Sequence, residues 1–184
     1  LYTIFLPIDA GMMDAAEAVQ MLHYTEWGLE RIRRPAGGEL CYTSNWVPVI
    51  WSVRQPDLAD SFHLALAYYK AGLADEGWKL LEGGFRSSMF HSIVPGGLEC
   101  EPPDIGAGLT DFADTVSMFA RATVEGLYGY QPDYPNGAVT VAPLFPLHWD
   151  RASIHTPDFG LAFERGGSTD EYKVELSRPA RIAL

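Results

Sequence analysis

The chain has 184 residues, 47% of them hydrophobic and 20% charged, with a formal net charge of −11. That excess of carboxylates argues against nucleic acid or an anionic membrane as the main partner, because phosphates are held by Lys and Arg. The composition is globular, and no apolar run approaches the roughly 20 residues of a membrane span.

At the N-terminus, "LYTIFLPI" has no basic region ahead of it and is not a complete signal peptide. The far end, "YKVELSRPARIAL", stops within an apolar alternation, so the chain is expected to be part of a longer protein. Residues 12–33 predict a first helix, with Ala15, Val19, Leu22, Leu29 and Ile32 near helical spacing and Pro35 beyond its end. Residues 34–56 read as a long connection that carries Tyr42, Asn45, Trp46, Trp51 and Arg54. A second helix starts near Asp57, presents Leu58, Phe62, Ala65, Leu66 and Tyr69 on one face, and ends at Gly72. His63 sits off that stripe, where an inter-helix or surface hydrogen bond is expected. A third helix runs from about Asp75 to Met89 with Trp78, Leu81 and Phe85 inward.

Residues 91–110, "HSIVPGGLECEPPDIGAGLT", form a second long connection. Thr110 or Asp111 caps a fourth helix whose face is Phe112, Val116, Phe119, Ala120, Thr123 and Leu127. The stretch "EGLYGYQPDYPNG" then breaks the helical period, and "AVTVAPLFPLHW", "ASIHTPDFGLAFER" and "EYKVELS" read as strands, with a hairpin turn at Gly166-Gly167. The fold class is therefore α plus β: a helical block over residues 1–137 and a β-module over 138–184.

If successive helices are antiparallel, both long connections lie on one face, together with the N-termini of the second and fourth helices. Helix N-termini bring unpaired N–H groups and partial positive charge to that face. The two connections carry Tyr42, Asn45, Trp46, Trp51, Arg54, His91, Glu99, Glu101 and Asp104. Aromatic faces, an amide, a guanidinium and carboxylates are the groups that bind sugars, and glycosidic cleavage needs two carboxyl groups flanking the bond. Asp111 and Asp114 either reach into this site or act as an N-cap and dipole complement. Loop tryptophans also serve as anchors on the helices beneath, and loop acids as a solvated surface.

Cys41 and Cys100 match no metal spacing, and two buried free thiols are expected ahead of a disulfide. The histidines show no ligand spacing. There is no phosphate-loop glycine pattern and no Gly-x-Ser-x-Gly elbow, so neither a metal nor another cofactor is expected.

"DFADTVSMFARATVEGLYGYQPDYPNGAVTVAPLFPLHWDRASI" resembles the end of the catalytic barrel in the six-hairpin glycosidases, (α/α)6-barrel enzymes of the α-L-rhamnosidase type. "SNWVPVIWSVRQPDLADSFHLALAYYKAGLADEGWKLLEG" is similar to an earlier hairpin of the same toroid. The resemblance implies the C-terminal part of an (α/α)6 barrel over 1–137, the start of an antiparallel β-sandwich over 138–184, and further hairpins upstream as partners. It implies an oligosaccharide or polysaccharide substrate, with Glu99 or the neighbouring Glu101 as the catalytic carboxylate. The sequence reads Leu-Glu-Cys-Glu where the family has an aromatic residue before its Glu. A periplasmic or secreted setting is slightly favoured.

Two other functions compete. One is a carbohydrate-binding relative without catalysis. The other is a helical scaffold, because "LALAYYKAGLADEGWKLLEG" resembles a tetratricopeptide hairpin, although no second copy of the 34-residue repeat occurs.

Overall fold

The computed structural model describes residues 1–35, 37–46, 54–91 and 113–183. The chain is α plus β, as its changing periodicity predicts.

The first helix arises where the sequence had no assigned element. α1 (Tyr2–Asp9) buries Ile4, Phe5 and Ile8, one face at helical spacing. α2 (Ala15–Gly28) begins at a reciprocal cap. Glu17 N–H donates to Asp14 Oδ1 at 2.9 Å, and Asp14 N–H donates to Glu17 Oε2 at 3.0 Å.

The single helix expected over 12–33 is therefore corrected at its C-terminal end. α2 stops at Gly28, and β1 (Arg31–Arg33) pairs antiparallel with β2 (Glu39–Cys41). This hairpin occupies part of the stretch read as an unstructured connection. It is held by close approach to a helix rather than by strand-like patterning. A Cβ on Gly38 would lie 2.3 Å from the backbone of Gly83, and one on Gly83 would lie 2.2 Å from Glu39 O. Only two glycines allow the backbones to meet.

α3 (Leu58–Lys70) starts at Asp57, whose Oδ1 accepts from the backbone N–H groups of Ala59 at 2.8 Å and Asp60 at 3.2 Å. Every residue from Leu58 to Tyr69 is buried except the half-buried His63. The predicted apolar stripe is real, but the helix is covered on all sides, which makes it the centre of the helical block. Gly72, at φ +80°, turns the chain into α4 (Ala74–Arg86), which packs antiparallel on α3 and continues as a widened π-turn, Ser87–His91.

α5 (Ala113–Arg121) runs into a second π-helical segment, Ala122–Leu127. Its inward face is Thr115, Ala122, Gly126 and Leu127, with Val116 and Ala120 exposed. Of the predicted face, Leu127 is buried and Phe119 packs on Phe62 and Phe85, whereas Val116 and Ala120, which precede the π-segment, are exposed.

α1, α3 and α5 are parallel. At one end Tyr2 lies within electrostatic reach of Asp57, Asp60 and Asp114. At the other, Asp9 is bonded to Lys70 and Arg121. α1 and α5 flank α3, while α4 returns in the opposite sense along the outside. The N-termini of the second and fourth predicted helices do share a face.

Gly129, at φ +63°, makes the turn from helix to sheet, and a Cβ there would meet Ala142 backbone atoms at 2.1 Å. β3 (Tyr130–Asp133) pairs antiparallel with β4 (Ala138–Val141), and β8 (Arg181–Ala183) joins β4 in parallel, so this sheet is mixed rather than purely antiparallel. β5 (Arg151–His155), β6 (Phe159–Arg165) and β7 (Asp170–Leu176) form an antiparallel sheet, with the β6–β7 turn at Gly166-Gly167 as expected. "AVTVAPLFPLHW" is strand only to Val141, since Pro143 and Pro146 carry no N–H for a ladder. Tyr130 stacks on Phe159 at 3.9 Å and 4°, joining the two sheets.

Candidate functional site

The end at which α1, α3 and α5 begin gathers Tyr2, Asp57, Asp60 and Asp114. Asp60 is the central group. It lies in the first turn of α3 on a side that faces protein, and it is 7% exposed. Its Oδ2 makes no hydrogen bond among the described residues. Burial, reinforced by the neighbouring Asp57 carboxylate, pushes the Asp60 carboxyl up to about 7, and hydrogen bonding from Tyr2 pulls the other way. The Tyr2 phenol is pushed up to about 12, by burial and then by Asp60.

Asp57 has a different task. Its Oδ1 is engaged by two backbone N–H groups at the start of α3, so it is held in place as a charge that adds to burial in raising the Asp60 carboxyl. Asp114, in the first turn of α5, is exposed and adds its own repulsion at Asp60.

Further buried polar groups surround this end. The Gln55 amide, Ser61 Oγ and Thr115 Oγ1 make no hydrogen bond among the described residues. Thr115 also lines an apolar cavity of about 300 Å³, with Phe62, Phe85, Met89 and Phe119 in its wall.

Several of the residues expected at the site from sequence are used by the fold. Asn45 bridges the end of α2 to β1: its Nδ2 donates to Gly28 O, and its Oδ1 accepts from Glu30 N–H at 3.3 Å. Arg54 Nη2 pairs with Glu30 Oε2 at 2.5 Å, and its guanidinium lies 5.7 Å from the Tyr42 ring centroid. Tyr42 is buried beneath it. Trp46 is 75% exposed, and its indole is open to solvent. Asp114 is the one predicted acid seen with the Asp57–Asp60 pair. Trp51, Glu99, Glu101, Asp104, Asp111, the side chain of His91 and Cys100 lie outside the described residues. Cys41 is a buried free thiol, pushed up to about 11 by burial.

Sequence reasoning missed Asp60 and Tyr2. The signal was present in "QPDLAD": a second acid three residues into an apolar helix, on the same face as Leu64 and Ala67. His63 makes the expected inter-helix bond, to Asp9 Oδ2 at 2.9 Å. Among the described residues no group of three His, Cys, Asp or Glu side chains could hold a metal ion, and no helix is long and apolar enough to cross a membrane.

No family model, no curated protein and no solved structure matches the chain.

Proposed function

We propose that this chain is part of a carbohydrate-active enzyme that hydrolyses glycosidic bonds with paired carboxylates, its helices forming a portion of an (α/α) toroid. The observation that carries this reading is the buried Asp60 carboxyl, raised to about 7 beside other acids at the end where three parallel helices begin. A carboxylic acid that keeps its proton near neutral pH is what a general acid requires.

In this mechanism Asp60 gives its proton to the glycosidic oxygen as the bond to the anomeric carbon breaks, and the leaving sugar departs as an alcohol. A second carboxylate faces the anomeric carbon and either bonds to it, forming an ester that water then hydrolyses, or takes a proton from the water that attacks it. Asp114, on α5 at the same end, is the described candidate for that role, and Glu99 and Glu101 are the candidates from the 91–110 connection. Asp57 is a positioning residue that acts through the charge it presents to Asp60. A second carboxyl about 5–5.5 Å from Asp60 in the substrate complex would give retention, and about 6.5–9.5 Å would give inversion.

The test is sugar release from a panel of plant and bacterial oligosaccharides by the protein and by Asp60→Asn, Asp114→Asn, Glu99→Gln and Glu101→Gln. Loss of release by orders of magnitude in Asp60→Asn, with oligosaccharide binding retained, supports the reading. Full activity in Asp60→Asn overturns the assignment of the acid. Binding without release in the parent protein moves the conclusion to a non-catalytic carbohydrate-binding relative.

A further inference from the structure

A cleft lined by two tryptophans lies at the other end of the helices. The N-terminal half of α4 and the loop between β4 and β5 enclose an open cleft of about 620 Å³, lined by Asp75, Glu76, Trp78, Lys79, Leu147 and Trp149 among others. That is within the roughly 300–1,000 Å³ typical of ligand sites. α4 starts beside the Gly72 turn, where α3 ends, so the cleft is remote from Asp60 at the start of α3.

Trp78 and Trp149 meet edge to face, with ring centroids 4.6 Å apart and planes at 72°. Neither is fully buried. Two indoles at this angle form a corner that can take a pyranose against one ring face and one ring edge. The corner is rigid. Trp149 stacks on Phe145, its backbone N–H donates to Pro146 O at 3.0 Å, and its backbone carbonyl accepts from Arg165 Nε at 2.8 Å. Leu147 N–H donates to Asp75 Oδ1 at 3.2 Å, which fixes the loop to α4. Leu147 itself is 76% exposed at the lip.

Charge narrows the ligand. α4 contributes Asp75, Glu76 and Glu82 to the lining against Lys79, with His148 from the loop, so carboxylates outnumber the cation, and the chain as a whole carries −11. Uronates and sulfated sugars are repelled, whereas sugar hydroxyls can donate to the carboxylates.

We propose that the Trp78–Trp149 cleft is a non-catalytic binding site for a neutral oligosaccharide, which holds a glycan chain away from the acid-bearing end. The site stands whether or not Asp60 is a catalytic acid.

The experiment follows the indole N–H resonances of the ¹⁵N-labelled full chain during titration with neutral gluco-, xylo- and manno-oligosaccharides, with oligogalacturonate as the anionic control. Trp78→Phe and Trp149→Phe assign the two signals and keep much of the packing. Saturable shifts of both signals with a neutral sugar, absent with oligogalacturonate, are expected, and each Phe variant weakens binding about tenfold, because the smaller ring offers less contact area and lacks the indole N–H donor. Asp60→Asn leaves these shifts unchanged, which separates this site from the hydrolytic one. The proposal is overturned if the two signals stay fixed with every sugar, if they respond equally to oligogalacturonate, or if only Trp27 or Trp46 responds.

Discussion

Asp9, at the end of α1, holds Arg121 of α5 by two bonds, Nη1 to Oδ2 at 2.5 Å and Nη2 to Oδ1 at 2.8 Å, across 112 residues of sequence. The same carboxylate takes Lys70 Nζ at 2.5 Å and His63 Nε2 at 2.9 Å, both from α3. One acid, 12% exposed, thus ties three parallel helices together at the end opposite Asp60.

Burial alone would raise the Asp9 carboxyl, but its bonds to Arg121, Lys70 and His63 outweigh burial and hold it well below the usual carboxylate range. A lowered folded-state value contributes stability that is present above the unfolded value of 3.8 and is lost as the pH falls below it. Asp9→Asn is expected to cost about 3 kcal/mol at pH 7, because Arg121 and Lys70 lose a counter-ion and His63, whose value burial lowers, loses a hydrogen-bond partner. Chemical denaturation at pH 7 and pH 3 checks this: the gap between parent and variant should shrink at the lower pH.

Asp60 has the opposite sign. Its value rises from 3.8 to about 7, so the folded chain keeps a proton that the unfolded chain releases between those values. Its burial therefore lowers stability as pH climbs from about 4 to 7. Asp60→Asn should be more stable than the parent at pH 8, by on the order of 2–4 kcal/mol, and Tm measured across pH reads it directly. Where turnover is observed, kcat/KM of the parent should fall above pH 7, as the acid loses its proton.

Gly83→Ala should destabilise the chain by about 2–3 kcal/mol through overpacking, since its Cβ would be forced to 2.2 Å from Glu39 O. The control is Gly167→Ala in the β6–β7 turn, where an added Cβ meets nothing within 4 Å. Equal denaturation midpoints for the two variants would contradict the close approach of hairpin and helix.

Tyr128 links the helical block to the sheet, its hydroxyl donating to Ser153 O at 2.8 Å. Tyr128→Phe should cost about 1 kcal/mol, seen as a lower midpoint in urea. A cost near zero would mean that ring packing against Phe145 alone carries the junction.

Asn45 and Trp46 are neighbours with different roles. Asn45→Ala should lower stability by about 1 kcal/mol, because Gly28 O and Glu30 N–H lose their partner. Trp46→Ala should leave Tm unchanged, and any weakening of sugar binding on that variant then reports on the indole alone.

Some of this was readable in advance. Periodicity located α3, the turn at Gly72 and most of α4, because an apolar stripe and a helix breaker are local signals. The Gly166-Gly167 hairpin was legible for the same reason. The β1–β2 hairpin was not: its strands are three residues long, and its support is the contact between Gly38 and Gly83, 45 positions apart. The π-segment that follows α5 was not legible either, because a π-turn has no propensity signature.

The candidate site divides in the same way. The amino-acid order by itself determined that the chain is acidic, that a mainly helical part precedes the main β-module, and that aromatic and acidic side chains collect in residues 34–56 and 91–110. Only the tertiary structure decided which polar groups are occupied and which are held under tension. Asn45 and Arg54 looked like ligand contacts and are bound to the fold, because their partners Gly28 and Glu30 lie on a different element. Asp60 was not singled out by the sequence. It became the most perturbed carboxyl at that end because burial and Asp57 act on it together, and burial depends on what packs around a residue, not on the residue itself.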